Sequence, residues 1–233
     1  MGSRSGAAPE PRGSRWADRA KGPLREYSET ILVCSLVFVF LRAFVFQQSE
    51  IPSGSMEDTV LPGDYILVNR FVFSRAAAEW ERDLLPIREI RRGDVVVFMH
   101  PDEPERDFIK RVIGLPGETL EVREGYVRVD DRELDEPYVN PLYRTRQSFP
   151  SVRVPQDEYF VMGDHRNNSA DSREWGTVPR ALIKGRAFLV LLSTSAPPTP
   201  GEQAGKVTVG STLRKFWHIA LYGRWGRALR LIH

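Results

Sequence analysis

Residues 106–118 read RDFIKRVIGLPGE, and inside them Phe108–Ile113 is a β-type run closed by the turn signal Leu115-Pro116-Gly117. The same grammar recurs from residue 60 onward. Strand-like runs occupy Tyr65–Val68, Val95–Met99, Thr119–Val122, Tyr126–Val129, Tyr159–Met162 and Ala187–Leu192. Pro62-Gly63-Asp64, Arg92-Gly93-Asp94 and Gly163-Asp164 punctuate them. Seventeen prolines and eighteen glycines in 233 residues fit a turn-rich chain. The pattern predicts a mostly β fold with antiparallel strands. Only Arg75–Leu85 reads as a helix in this part, and no internal repeat is present.

Within the opening run, Lys110 carries the chemistry. Alternate residues of a strand share a face, so Phe108 and Val112 flank Lys110 on its own side. Apolar surroundings strip water from an ammonium and lower its pKa. At the ordinary value of about 10.4, only roughly one lysine in 2,500 is neutral at pH 7. Desolvation is what would make this lysine a general base, and a serine hydroxyl needs one to act as a nucleophile. The plainer account of Lys110 is an edge-strand lysine that discourages aggregation.

Two further islands stand out, Ile51–Thr59 (IPSGSMEDT) and Gly163–Pro179 (GDHRNNSADSREWGTVP). Each has a dull reading: Ser-Gly-Ser after proline is a common turn, and Asp171 with Arg173 a surface ion pair worth little. Of the histidines at 100, 165, 218 and 233, only His165 lies in an island. No G-x-S-x-G elbow accompanies it. A metal site at Asp164, His165 and Asp171 finds no support in an EF-hand, HExxH or Cys/His pattern, so no metal or cofactor is expected.

The bulk composition is that of a folded protein, with 41% hydrophobic and 27% charged residues, and a net charge of +2 implies no polyanion such as nucleic acid. The single cysteine, Cys34, has no partner for a disulfide. Residues 1–28 are rich in Gly, Ser, Pro, Ala and Arg and read as a disordered tail. Thr30–Phe46, TILVCSLVFVFLRAFVF, is apolar apart from Arg42, slightly shorter than the about 20 residues that usually span a bilayer. A buried soluble helix and a signal peptide cut near Ser53-Gly54-Ser55 are the competing readings. An uncleaved anchor over residues 29–47 is preferred, because Pro52 and nine residues separate the run from that cut. Six basic residues precede the run, and after Arg42 the next is Arg70. The N-terminus is therefore expected in the cytoplasm, with residues 48–233 outside.

The three islands, in this order, resemble the boxes of the bacterial signal peptidase I family. Ile51–Met56 is similar to its nucleophile box, Phe108–Glu118 to its lysine box, and Gly163–Pro179 to its pattern GD-x-R-x-NS-x-DSR-x-WG. The likeness extends to Gly63–Asn69, Arg92–Phe98 and Arg224–Ile232. It implies that Ser55 attacks the scissile carbonyl and Lys110 takes its proton. The Ser55 amide and the Ser53 hydroxyl would stabilise the oxyanion, and Ser169 would orient Lys110. Asp171 and Arg173 would brace that segment. Ile51, Pro52, Ile66 and Ile109 would line pockets for the small residues at −1 and −3 of a signal peptide. The implied fold is a bent antiparallel β catalytic core with a smaller β insertion at about 119–158, behind one N-terminal transmembrane helix in the bacterial inner membrane. Departures are Asp58 where the best-known members have proline, His165 where they have asparagine, and one spanning segment where they often have two.

Membrane lipids are a further expected partner. Leu213–His233 combines five Arg and Lys residues with Phe216, Trp217 and Trp225 and no acid, which suits an anionic surface. A basic strand and turn closing the core is the competing reading. Two other functions compete: a self-cleaving Ser–Lys protease like the SOS-response repressors, and a non-catalytic membrane-tethered β domain. Residues 1–28 are too short for the repressors' DNA-binding domain, and the presence of both Ser55 and Lys110 argues against a degenerate site.

Overall fold

A computed structural model of the chain describes residues 23–40, 46–74, 87–195 and 222–233. The helix expected at Arg75–Leu85 lies outside these residues, as does most of the expected disordered tail. The chain divides into two units, before and after residue 40.

The first unit holds α1 (Pro23–Phe40). It begins inside the segment read as a tail, because Pro23 suits the first helical turn and Glu26 complements its dipole. From Ile31 to Val39 it is apolar and exposed, Cys34 included. Its first eight residues, PLREYSET, are polar overall. Among the described residues, no helix is long and apolar enough to cross a membrane. The expected anchor boundary at residue 47 is corrected: Phe46–Glu50 form a strand, β1, that pairs antiparallel with β2 (Asp64–Asn69). Its sequence, FQQSE, carries too few apolar side chains to announce an edge strand.

The second unit is mostly β, and every strand pair among the described residues is antiparallel. Its main sheet adds β3 (Val95–Met99), β4 (Asp107–Gly114), β9 (Glu158–Met162), β10 (Val178–Pro179) and β11 (Ile183–Ser193), in the order β1-β2-β11-β3-β4-β9-β10. Strand β11 runs for eleven residues and shifts register twice against β2, and such bulges bend and twist a sheet. Between β4 and β9 the chain makes a second sheet from β5 (Thr119–Arg123), β6 (Tyr126–Val129), β7 (Arg132–Glu133) and β8 (Phe149–Arg153).

Among the described residues, three buried clusters hold the unit together. Ile51, Met56, Ile66, Val97, Ile109 and Ile232 belong to one, on the face of β4 that carries Ile109. Val96, Phe98, Val112 and Val161 build another on the opposite face. The third joins the two sheets through Ile113, Leu120, Val127 and Phe160. Each such side chain contributes about 1.5–3 kcal/mol on burial.

The described part of the C-terminal segment, residues 222–233, closes the core. Strand β12 (Arg230–Leu231) pairs with β11, Ile232 is buried, and Arg224 and Arg227 converge on the buried carboxylate of Asp64.

Candidate active site

Strand β4 is interior to the sheet, between β3 and β9, so Lys110 is not an edge lysine. It faces Val96 across the ladder, and its Nζ lies 5.9 Å from the centre of the Phe108 ring. The side chain is 2% exposed. Nζ donates a 2.6 Å hydrogen bond to Ser55 Oγ, which is itself 8% exposed. Burial pulls the Lys110 pKa down to about 8, against the opposing pull of the Asp171 and Asp164 charges. A base half neutral at pH 8 sits in contact with a hydroxyl.

The loop that carries Ser55 is clipped at both ends by Ile51 N–H to Asp64 O and Gly63 N–H to Ile51 O. Inside it, Glu57 N–H bonds Gly54 O and Val60 N–H bonds Met56 O, one helical turn whose Met56 and Val60 side chains are fully buried. Among the described residues the Ser55 N–H is given to no acceptor. Ser53 Oγ is 3.5 Å from Ser55 Oγ, so both hydroxyls reach the same side of the loop. Asp58 has φ 80°, a backbone region closed to the proline that the family's best-known members carry there.

The segment after β9 packs directly on this loop. A Cβ on Gly163 would come within 2.4 Å of Ser55 O and 2.2 Å of Ser169 Oγ, so only glycine allows the approach. The His165 N–H bonds Ser55 O at 3.1 Å. Asp171 caps the short helix α2 (Ser172–Trp175), accepts the Gly163 N–H at 3.0 Å, and pairs with Arg173 at 2.7 Å. It is fully buried, so this ion pair is structural rather than a surface contact. One correction concerns Ser169. The hydrogen bond to Lys110 that the resemblance implies is not made: Ser169 Oγ packs against Gly163 and has no hydrogen-bond partner among the described residues.

Of the four expected pocket residues, Ile51, Ile66 and Ile109 are buried together with Met56, while Pro52 is exposed. Sequence reasoning missed Arg111, whose guanidinium spans Asp164, Thr59, and the carbonyls of Gly93 and His233. It also missed Tyr143, which stacks on His165 with ring centres 3.8 Å apart, and the fully buried pair of Arg166 with Glu136. The signal for Arg111 was there: it follows Lys110 on a strand, and the second residue of the third island is an aspartate, Asp164.

Comparison with known proteins gives a consistent picture. The family model described as "Signal peptidase, peptidase S26" matches residues 24–192. Signal peptidase I of Pseudomonas aeruginosa is 34% identical over 211 residues, covering 75% of this chain and 74% of that protein. Signal peptidase I of Aquifex aeolicus is 30% identical over 244 residues, covering 79% and 91%. The probable signal peptidase I-2 of a Synechocystis species is 36% identical over 171 residues, covering 70% and 71%.

Proposed function

This chain belongs to the signal peptidase family, peptidase S26, and on that premise we propose that it removes signal peptides from exported preproteins with Ser55 as nucleophile and Lys110 as general base. It is a serine endopeptidase of that family. The observation that carries the assignment of the dyad is the 2.6 Å contact between Lys110 Nζ and Ser55 Oγ. Neutral Lys110 accepts the hydroxyl proton as Ser55 Oγ attacks the scissile carbonyl. The resulting ammonium then gives that proton to the leaving amine. A water, deprotonated by the same lysine, hydrolyses the acyl-enzyme. The negative oxygen of the tetrahedral intermediate is met by the Ser55 amide and the Ser53 hydroxyl, preorganised donors of the kind worth about 10²–10³ in rate each. Asp171 and Arg173 keep the third island against the nucleophile loop. Ile51, Pro52, Ile66 and Ile109 form the apolar ground on which small side chains at −1 and −3 rest.

Ser55→Ala and Lys110→Met should each abolish processing of a preprotein, and the double variant should be no worse than either single, because the two act as a unit. Near-normal turnover by Lys110→Met would sink the dyad.

The enzyme is proposed to sit in the bacterial cytoplasmic membrane, with the apolar run that starts at Thr30 as its anchor and its N-terminus inside. The exposed apolar residues of α1 and the basic residues ahead of them support this. Exposed Trp225, Leu229 and Leu231 beside Arg230 support a lipid contact by the second unit as well. External protease on spheroplasts should digest the catalytic unit and spare a tag at residue 1. Loss of that tag from outside would reverse the topology.

A further inference from the structure

His165 stands where the family's best-known members have asparagine, and the polar contacts of its ring and of its backbone N–H all fall on the loop that carries Ser55. Nδ1 lies 3.3 Å from Gly54 O and 3.1 Å from Glu57 Oε2. Both are acceptors, so Nδ1 must carry the proton whether the ring is neutral or charged. One face of the ring is covered by Tyr143, stacked at 3.8 Å with 30° between planes. Tyr143 ends the 3-10 turn Pro141–Tyr143, which Asn140 caps, and its carbonyl accepts the Asn167 N–H at 3.0 Å. The ring is thus held from the inserted segment, from the third island and from the nucleophile loop at once.

Gly54 O belongs to the same peptide plane as the Ser55 N–H, and in a trans peptide the two point in opposite directions. Glycine moves between φ wells at little cost, so the Gly54–Ser55 peptide is the place where this loop could flip. A flip would turn the Ser55 N–H away from the reacting carbonyl. Glu57 N–H restrains Gly54 O from within the loop, and His165 Nδ1–H restrains it from outside. The His165 backbone N–H restrains the next carbonyl, Ser55 O. Two successive peptide groups are therefore pinned by one residue.

We propose that His165 is a positioning residue for oxyanion stabilisation: by holding Gly54 O it aims the Ser55 N–H at the oxygen that becomes negative. This rests on the assignment of Ser55 as nucleophile. A donated hydrogen bond on the carbonyl also polarises the peptide and strengthens its N–H as a donor. Asparagine can place an amide N–H close to where histidine places Nδ1–H, so it supplies the same donor; aspartate has its shape and no donor.

The test compares His165→Asn, His165→Asp and His165→Phe in the full-length chain, with Ser55→Ala as a control, on one preprotein. His165→Asn should keep at least about a third of the wild-type kcat. His165→Asp and His165→Phe should lose about tenfold or more in kcat with KM little changed, the expected cost of a misplaced catalytic group. A peptide aldehyde, whose carbonyl becomes an oxyanion on adding to Ser55, should lose affinity in step with kcat, while the cleaved signal peptide should not. Should His165→Phe fail to fold, the isosteric Asn and Asp pair decides. Full kcat in His165→Asp, or equal losses in Asn and Asp that track melting temperature, overturns the proposal. If Ser55→Ala still processes the preprotein, it is the nucleophile assignment that fails instead.

Discussion

Lys110 and Arg111 are neighbours on β4, both cationic and both almost fully buried, at 2% and 1% exposure, yet the fold treats them in opposite ways. Strand alternation sends them to opposite faces. Arg111 reaches a carboxylate, a hydroxyl and two carbonyls, with the Tyr138 ring 4.0 Å from its guanidinium carbon. Lys110 reaches one neutral hydroxyl and a phenyl ring. A buried charge supplied with an opposite charge and hydrogen bonds is a structural element. One left with a neutral partner is driven to give up its proton. That difference in partners, at equal burial, is what separates a scaffold residue from a base.

The strongest way to break the comparison is to remove Arg111. Arg111→Met leaves Asp164 buried without its cation, which should cost about 3–5 kcal/mol in denaturant unfolding. A loss below about 1 kcal/mol would mean that Arg111 is no more needed by the fold than Lys110.

Lys110→Met should do the reverse. The fall of its pKa from 10.5 to about 8 corresponds to on the order of 3 kcal/mol of folding free energy. Below pH 8 the lysine is protonated in both folded and unfolded chains, and the fold carries the full cost. Between pH 8 and 10.5 the unfolded chain binds more protons, so stability rises with pH, and above 10.5 the cost is gone. Lys110→Met should therefore be the more stable protein at pH 7, by an amount that fades above pH 8. In the wild type, kcat/KM should climb about tenfold per pH unit below pH 8 and level off above it. A stability gain unchanged between pH 7 and 10.5, or a flat rate profile from pH 5 to 9, would uncouple the lysine's burial from its chemistry.

The smallest effect sharpens the contrast from the loop that carries Ser55. Asp58, exposed at φ 80°, touches neither cation. Asp58→Gly should add about 0.5 kcal/mol by relieving the left-handed backbone. It should do so without the loss of activity that accompanies the stabilised Lys110→Met. A destabilised Asp58→Gly would show that the aspartate side chain itself holds the turn.

Much of the fold was legible because its signals are local. The runs at Val95–Met99 and Tyr126–Val129 coincide with β3 and β6, since β-type residues between glycine and proline turns leave the backbone few alternatives. Strand β1 was not legible: FQQSE pairs with β2 through backbone groups, and backbone hydrogen bonds leave no mark on side-chain pattern. The short strands β7 and β10, two residues each, were missed for the same reason, whereas β12 falls in the C-terminal stretch whose competing reading was a basic strand and turn closing the core.

By itself the sequence determined that the chain is β-rich, that a lysine sits among apolar residues on a strand, and that Ser55, Lys110 and the GDHRNNSADSR island occur in the order of the signal peptidase family. Only the tertiary structure decided who meets whom. Ser55 and Lys110 are 55 residues apart and touch at 2.6 Å, while Ser169, expected on Lys110, turns to Gly163 instead. His165 departs from the family pattern, yet its ring lands 3.3 Å from Gly54 O, 111 residues away and in the same peptide group as the Ser55 amide. Strand propensity is a property of a few neighbouring residues. A pKa of about 8, an ion pair or a pinned peptide depends on groups that the folded chain alone brings within 3 Å or so of each other.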